Sequence, residues 1–519
     1  MQSFIIEDQY ELEDNMARAT TYSQWCIAAE NLDRLKELDK NWSYDDESPL
    51  YDYKLIRHRR ELLQKARNAK DYLQMVYLLR SGLLRNLGGL NEILLFSHLF
   101  LRTKKLIQDY HEEVVQSIRY ISDSPYVSSK LEFLKDTRQS FGSSALVLHG
   151  GASFALYHLG VAKTLFEQNM LPRIISGSSI SALMAALICI HTDDELPTIF
   201  DASGIKLKSF EKRNTKGGYQ RKLRRLLEHG YLLDADVLTQ CVNDNLGDIT
   251  FEEAFLKTRR ILNITVSSER KNEVPRLLNY LTAPTVLIRT AACASASSLG
   301  VFRSVNLLAK DKTGRVVQWG ASHIKWGDSS YDSESPEARL AELFNVNHFI
   351  VSQSSPLATP FLPKGPHHRK SSPFQKLMSF MFNEARHIIN QVGHFGFLPA
   401  SVSSLFSPKL LGHVTISPLL TMNDLWAVFS NPRKETMKYW IEKGEKSTWP
   451  FVTLIRNRTM VEFALDKAFF KIDAEEQQRK QGILGSNDNL SSNEGLFALK
   501  CAFGGEKRRS SLNLSSSNV

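Results

Sequence analysis

The chain has 519 residues, enough for two or three compact units, and its 42% hydrophobic and 23% charged content is that of a globular protein rather than a disordered one. Five scattered cysteines without metal-ligand spacing predict reduced thiols, as in the cytosol. An acidic stretch soon after Met1 predicts no secretory signal peptide, and no apolar run approaches the ~20 residues of a transmembrane helix. We therefore expect a cytoplasmic protein that meets lipid only from the aqueous side.

The first quarter of the chain has the apolar spacing of helices. From Leu55 to Leu83, apolar residues recur at intervals of three, four and seven, which predicts one long amphipathic helix. Gly88-Gly89 breaks the pattern, and Ile93 to Ile121 resumes it. Residues 1–140 are thus predicted to form a helical N-terminal domain, whose expected role is to pack against the domain that follows.

A serine in a tight turn is the main candidate for chemistry. The apolar strand Ile174–Ser176 leads into Gly177-Ser178-Ser179-Ile180-Ser181, and a helical run from Ala182 to Ile190 follows. Strand, sharp turn and helix are the setting of a nucleophile elbow, where only small residues fit two positions before and after the nucleophile. The pattern predicts Ser179 as the nucleophile of an acyl transfer, with Gly177 and Ser181 as the small elbow residues.

A glycine-rich turn precedes the elbow by a single predicted helix and follows the apolar strand Ala145–Leu148. The backbone N–H groups of Gly150, Gly151 and Ala152 are little shielded by side chains and lie at a predicted helix N-terminus, so we expect them to bind an oxyanion. One βαβ unit would bring both turns to the same edge of a sheet. In an α/β-hydrolase the two belong to distant units, and a later histidine completes a triad.

This pairing of turns resembles the patatin-like phospholipase family, which uses a Ser-Asp dyad without histidine. The aspartate motif of that family corresponds here to Trp326-Gly327-Asp328-Ser329-Ser330, so the resemblance makes Asp328 the proton acceptor. A poorly solvated carboxylate can take the serine proton directly. The resemblance implies a three-layer α/β/α catalytic domain over residues 141–365, in keeping with the alternation of short apolar strands, such as Ile261–Val266 and Phe349–Val351, with helices.

Other stretches narrow the resemblance to the subgroup of fungal lipid-droplet triacylglycerol lipases and the plant seed-oil triacylglycerol lipase. They include Leu78-Leu79-Arg80, Arg85-Asn86-Leu87-Gly88-Gly89 and Thr448-Trp449-Pro450, and the similarity runs from about residue 20 to 470. It implies hydrolysis of neutral lipid by a peripheral protein of lipid droplets or membranes, with no cofactor and no metal. Two alternatives stay open: a phospholipase or lysophospholipase with the same dyad, and a catalytically silent lipid-droplet protein that regulates active relatives.

Three small residues stand where the family pattern has glycine. They are Ala155 after the glycine-rich turn, Ser181 in the elbow and Ser329 after the aspartate. A non-glycine residue reaches positive φ only at a cost of about 1 kcal/mol. We therefore expect strain at these positions, and a turnover that rises, within about tenfold, when glycine is restored at 181 and 329.

The last third of the chain is predicted as a helical extension over residues 366–472 and a disordered tail over 473–519, which is polar and poor in aromatic residues. Within the extension, Phe374 to Ile389 predicts an amphipathic helix rich in Phe and Met. Such a helix can lie in a lipid interface. Apolar residues at this spacing more often belong to a core, and we expect core here.

Three further signals are weak. The segment Lys206–Arg225 is strongly basic and suits either anionic lipid or a solvated surface, and no nucleic-acid motif accompanies it. His149 is interpreted as a loop residue rather than a base. A His-x4-Asp pattern, sometimes linked to acyltransfer in the subgroup, occurs at His229…Asp234 and His323…Asp328, but fourteen histidines produce about one such match by chance.

Overall fold

The structure is a computed structural model. It describes residues 2–40, 42–125, 129–150, 154–206, 235–268, 276–296, 305–320, 326–327, 336–354, 412–418 and 434–484, and the single positions 367, 377, 380, 381, 384, 387, 388, 391, 420 and 424. The chain divides into two compact units, Met1–Ala468 and Phe469–Val519. The first unit contains both the N-terminal helices and the central sheet, which therefore fold as one body.

Six helices precede the sheet. They are α1 (Gln2–Arg18), α2 (Tyr22–Lys40), α3 (Tyr53–Asn68), α4 (Tyr72–Gly82), α5 (Lys105–Asp123) and α6 (Lys130–Phe141), with short 3-10 turns at Leu87–Gly89 and Ile93–Phe96. The prediction of one helix from Leu55 to Leu83 is wrong, because the chain breaks at Lys70, whose φ is +57°. Asp71 then caps α4 by accepting a hydrogen bond from the Gln74 N–H at 3.0 Å. The helical pattern from Ile93 is likewise interrupted, and α5 begins only at Lys105.

The central sheet is mostly parallel, as an α/β fold requires. Its strands are β1 (Ser143–His149), β2 (Ile174–Gly177), β3 (Ile261–Ser268), β4 (Arg276–Leu278), β7 (Trp326–Gly327), β8 (Val346–Gln353) and β9 (Val414–Ile416). Their order is β4-β3-β2-β1-β8-β9, and only β4 and β7 run antiparallel, both paired with β3. The four predicted strands are all present. A separate hairpin, β5 (Leu308–Lys310) and β6 (Val316–Gln318), turns through residues 311–315.

The remaining helices cover the sheet and continue beyond it. They are α7 (Tyr157–Glu167), α8 (Ser181–Ile190), α9 (Leu196–Phe200), α10 (Ala235–Leu246), α11 (Phe251–Thr258), α12 (Ile288–Ala296), α13 (Pro336–Phe344), α14 (Lys434–Thr448) and α15 (Val452–Leu484), with a 3-10 turn at Trp449–Phe451. The parallel strands β1, β2, β3 and β8 end at the same side of the sheet, called the carboxyl edge below. Helix α7 joins β1 to β2, so the two predicted turns lie side by side at that edge.

Helix α14 lies so close to α7 that glycine is required on both helices. A Cβ placed on Gly160 would lie 1.9 Å from the carbonyl oxygen of Ile441, and one on Gly444 would lie 2.2 Å from that of Tyr157. Nearby, Lys163 forms an ion pair with Glu445 at 3.0 Å. The C-terminal extension is therefore packed directly against the helix that separates the two turns.

A buried arginine joins three parts of the first unit at the opposite edge of the sheet. Arg85 donates hydrogen bonds to the Gly142 carbonyl at 2.9 Å, the Arg458 carbonyl at 2.8 Å and the Glu462 carboxylate at 3.1 Å. Glu462 in turn accepts the Ser144 N–H of β1 at 2.7 Å. Burial raises the pKa of Glu462, while Arg85 opposes that rise. The cost of burying these charges is offset only by this complete set of partners.

Three predictions for the C-terminal part are wrong. The extension over residues 366–472 is not purely helical, because it contains β9, which pairs with β8 of the central sheet. Helix α15 continues to Leu484, so residues 473–484 are helical and are not the start of a disordered tail. The stretch from Asp473 to Lys480 is polar but rich in Glu, Gln, Arg and Lys, which are good helix formers. Residues 485–519 lie outside the described residues.

The helix predicted to pack in the core is exposed where it is described. Leu377, Phe380, Met381 and Ile388 are helical and between 51% and 63% exposed. Their spacing puts them on one face, because residues three, four and eleven positions apart share a helix side. This face also carries Glu384. Among the described residues, no helix is long and apolar enough to cross a bilayer.

Candidate active site

Ser179 sits in a strained turn between β2 and α8. Its φ is +59°, a left-handed conformation that a non-glycine residue adopts only at a cost of about 1 kcal/mol or more. The turn also demands glycine at Gly177, where a Cβ would lie 2.6 Å from Ala182 Cα. Backbone strain at a serine between a strand end and a helix N-terminus is the geometry of a nucleophile elbow. Ser179 itself remains partly exposed to solvent.

The glycine-rich turn is tied to the elbow by two contacts. Nδ1 of His149, the last residue of β1, lies 2.8 Å from Oγ of Ser178, the neighbour of Ser179. Gly150 has a φ of +79°, and its carbonyl accepts a hydrogen bond from the Ser181 hydroxyl. The parallel pairing of β1 with β2, in which Leu148 lies opposite Gly177, sets the two turns side by side.

Ser181 and Ala155 do not strain the backbone, which corrects the expectation from the sequence. Neither has a positive φ. Ser181 is the first residue of α8, where the backbone is helical, and its hydroxyl has a partner on each side. Glycine at position 181 would relieve no strain and would remove these hydrogen bonds. Ser329, the third departure from the glycine pattern, lies outside the described residues.

A second serine, Ser295 on α12, supports the nucleophile turn from below. Its Oγ accepts the Ser179 N–H at 2.9 Å and donates to the Thr265 carbonyl of β3 at 2.8 Å. Ser295 is fully buried. The strained backbone at Ser179 is thereby anchored to the neighbouring strand, as a turn of this kind requires if it is to keep one conformation.

A buried histidine lies beneath both turns. Nδ1 of His158 lies 2.7 Å from Oγ of Ser352, and its Nε2 lies 2.9 Å from the hydroxyls of both Ser181 and Ser354. Burial lowers the pKa of His158 to about 3, so the ring is neutral at physiological pH. The Ser354 N–H also donates to the His149 carbonyl at 3.1 Å. The end of β8 thus joins the same network.

Several predicted residues lie outside the described part of the chain: Gly151, Ala152, Asp328, the segment 207–225, His229, Asp234 and His323.

The strand that leads to Asp328 is described. Gly327 pairs with Ser267, three residues beyond Ile264, which pairs with Gly177 of β2. The chain therefore reaches the carboxyl edge at Gly327, which pairs with β3, and β3 is the neighbour of the strand that leads into the elbow. Among the described residues, no three His, Cys, Asp or Glu side chains are grouped so as to hold a metal ion.

The side chains that contact Ser179 and Gly150 are not evident from the sequence pattern. Ser295 lies in the run Ala291-Ala292-Cys293-Ala294-Ser295-Ala296, whose small side chains signal close packing. Ser352 and Ser354 follow the predicted strand Phe349–Val351, and the ends of parallel strands meet at one edge. Those signals point to the correct edge of the sheet. They do not indicate which side chains touch.

A glycine-rich turn and a strained serine elbow, joined by one βαβ unit at the carboxyl edge of a parallel sheet, define a class of α/β protein with a patatin-type site. Comparison with known proteins agrees with this class. Residues 146–322 match the family described as patatin-like phospholipase, and residues 5–139 match a domain of unknown function, DUF3336. The chain belongs to the patatin-like phospholipase family, as the resemblance predicted.

Several relatives of this chain are named as triacylglycerol lipases. Triacylglycerol lipase 4 of Saccharomyces cerevisiae is 38% identical over 87% of this chain and 52% of its own length. Triacylglycerol lipase ptl1 of Schizosaccharomyces pombe is 33% identical over 86% of this chain and 82% of its own, and ptl3 of the same yeast is 30% identical over 89% and 98%. The chain spans 52% and 65% of the lengths of the Saccharomyces cerevisiae lipases 4 and 5.

Proposed function

We propose that this protein is a serine ester hydrolase of neutral lipid, with triacylglycerol as its main substrate. The observation that carries the proposal is the positive φ of Ser179, +59°, at the carboxyl end of β2. Other non-glycine residues of this chain, such as Lys70, also have positive φ, but Ser179 has it between the end of a strand and the start of a helix, where an elbow requires it. An elbow places the serine hydroxyl at the tip of the turn, where an ester carbonyl can reach it.

The proposed reaction has two stages. Ser179 Oγ attacks the ester carbonyl while Asp328 accepts the hydroxyl proton, and the resulting oxyanion is held by backbone N–H groups of Gly150, Gly151 and Ala152. The tetrahedral intermediate collapses, and the alcohol leaves with the proton from Asp328. Water, deprotonated by Asp328, then attacks the acyl-enzyme, and the fatty acid is released as Ser179 regains its proton.

Asp328 is proposed as the base because of where the strand before it ends. The Gly327–Ser267 pairing brings the chain to the carboxyl edge of β3, the neighbour of β2. A histidine base would need a ring that can reach the Ser179 hydroxyl. His149 lies at that edge, and its Nδ1 is 2.8 Å from the hydroxyl of the neighbouring Ser178. The buried ring nearest the elbow, His158, has its pKa lowered to about 3 by burial and is a poor base at neutral pH.

The substrate class comes from the relatives, whose names give triacylglycerol lipase. The family description, patatin-like phospholipase, favours a second candidate, the hydrolysis of phospholipids by the same serine. Both substrates are esters of long acyl chains on glycerol. They differ in the charged headgroup, so an assay that offers both will separate the two functions.

Purified protein should release oleate from a triolein emulsion at least tenfold faster than from phosphatidylcholine vesicles, as expected if it shares the substrate for which its relatives are named. Titrating the released fatty acid measures both rates. Preference for phosphatidylcholine would establish the phospholipase alternative. A folded protein that hydrolyses neither substrate would support the catalytically silent alternative.

We further propose that the protein works at the surface of a lipid droplet or membrane without crossing it. The exposed face formed by Leu377, Phe380, Met381 and Ile388 supports this. Moving an apolar helix face from water into a lipid interface lowers the free energy of the system. Phospholipid and neutral-lipid surfaces both offer such an interface.

The double variant Phe380→Glu/Met381→Glu should therefore lose at least fivefold of its activity on emulsified triolein. Its activity on soluble p-nitrophenyl butyrate should stay within twofold of wild type, since the chemistry is untouched. Leu73→Glu/Tyr77→Glu is a matched control, because these residues form another exposed apolar pair, on α4. Equal losses on triolein in both double variants would contradict a specific role for the face around Phe380.

A further inference from the structure

One arrangement of protons satisfies all the hydrogen bonds around His158, and in it the Nε2 proton is shared between the hydroxyls of Ser181 and Ser354. The Gly150 carbonyl can only accept, so the Ser181 hydroxyl must use its single proton to bond to it. Ser181 Oγ can then only accept from His158, whose Nε2 lies 2.9 Å away. Nε2 therefore carries the ring proton. In a neutral ring Nδ1 has none, so it accepts from the Ser352 hydroxyl at 2.7 Å.

This chain of bonds runs from the end of β8 to the glycine-rich turn. Ser352 donates to His158, His158 donates to Ser181, and Ser181 donates to Gly150. All three side chains are fully buried. A buried polar network is costly when it is incomplete and rigid when it is complete. Here it ends on the carbonyl of Gly150, where the glycine-rich turn begins.

We propose that His158 is a positioning residue: through Ser181 it holds the Gly150 carbonyl, and with it the backbone of Gly150, whose own N–H is one of the proposed oxyanion donors, in the productive orientation. This inference rests on the proposed hydrolase function. Gly150 has no side chain to restrict its backbone, so a carbonyl held in place limits the directions that its own N–H can take. Ser181 stands where the family pattern has glycine, so the link belongs to this chain.

His158 is not itself a catalytic residue. The side chain is fully buried and does not reach solvent. Its effect must therefore fall on the stabilisation of the oxyanion, which changes kcat, and not on substrate binding, which changes KM. Loss of one oxyanion donor lowers kcat by about 10²–10³, and a misdirected donor should cost somewhat less.

Two amide substitutions separate positioning from simple packing. In His158→Gln, the amide nitrogen can occupy the place of Nε2 and still donate to Ser181. In His158→Asn, the shorter amide reaches only the place of Nδ1, and the link to Ser181 is lost. On soluble p-nitrophenyl butyrate, we expect kcat to fall at least about thirtyfold in His158→Asn, with KM within about threefold, and by less than about fivefold in His158→Gln.

The test also needs a control variant and a second variant that breaks the hydrogen bond between His158 and Ser181 from the serine side. His111→Asn removes another buried histidine, on α5, and should lower Tm without changing kcat. Ser181→Ala breaks the link from the other side and should lower kcat as much as His158→Asn. The double variant should lose no more than either single variant, because both remove one pathway. If His158→Asn fails to fold, Ser181→Ala alone decides.

The failure of this inference differs from the failure of the proposed function. Equal kcat losses in the Asn and Gln variants, losses that follow Tm, or additive losses in the double variant would overturn the positioning role while wild-type activity stands. If the folded wild type neither hydrolyses the ester nor reacts with a fluorophosphonate probe, the hydrolase proposal fails and the role of His158 fails with it.

Discussion

Replacing Ser179 with alanine is expected to lower ester hydrolysis by about 10⁴-fold or more, to the limit of detection. The alanine side chain cannot form the acyl-enzyme, and the loss of a nucleophilic serine in other hydrolases has effects of this size. Rates on triolein and on p-nitrophenyl butyrate should fall together. A fluorophosphonate probe should label the wild type at Ser179, as mapped by mass spectrometry of the labelled peptide, and should not label the variant.

The control is Ser203→Ala, which removes an exposed serine whose hydroxyl bonds only locally, to the Thr198 carbonyl at 3.1 Å. That variant should keep wild-type rates and labelling. Ser178 is the competing candidate because it is adjacent and bonded to His149. Labelling of Ser178, or labelling that survives in Ser179→Ala, would show that the nucleophile has been misassigned.

The second large effect is expected from Asp328→Asn, which should lower turnover by about 10⁴-fold. Asparagine has nearly the same size as aspartate but cannot accept the serine proton, so the substitution removes the base and preserves the packing. The measurement is kcat on p-nitrophenyl butyrate, with circular dichroism and Tm to confirm that the variant is folded. Fluorophosphonate labelling should slow in parallel, because it requires the same activation of Ser179.

Histidine variants are the matching comparison, since a triad would need one of them as base. Single substitution of His348, His367 or His413 should leave turnover within about tenfold of wild type. Burial lowers the pKa of all three rings, so each is held neutral within the fold. If any folded histidine variant, including one at His323 or His394, were as inactive as Asp328→Asn, a Ser-Asp-His triad would replace the dyad.

Most of the catalytic fold could be predicted from the sequence because its signals are local. Strand, turn and helix follow each other within about forty residues around Ser179, and each apolar run is bounded by glycine or small polar residues. Local periodicity is the strongest single-sequence signal. The neighbours β1, β2 and β3 are consecutive in the chain, as adjacent strands of a sheet usually are.

The incorrect predictions concern segments whose structure depends on tertiary contacts, which composition and spacing do not reveal. A break at Lys70 could not be separated from a continuous helix, because the flanking apolar spacing stays in phase on both sides. The polar residues from Asp473 to Lys480 suit a solvated helix as well as a disordered tail. The exposed face around Phe380 has the spacing of a core helix, and only the fold decides what it packs against.

The sequence indicates the backbone turns of the candidate site but not the side chains that contact them. Gly150, Gly177 and Ser179 carry a local backbone signature that can be recognised in a string of letters. His158, Ser295 and Ser352 are distant from one another in sequence and meet only through tertiary structure. For the same reason Ser181 was interpreted as a strained substitute for glycine, although it is a hydrogen-bonding member of a buried network.

The tight crossing of α7 and α14 determines how the protein can be cut into pieces. An excised fragment of residues 141–365 would lack Ile441, which covers Gly160, and Glu462, which receives the N–H of Ser144. It would also lack Arg85, which binds that carboxylate. The segment that carries the chemistry is therefore not an autonomous module, and a shortened version fit for expression must retain both the N-terminal helices and the chain from Lys434 onward.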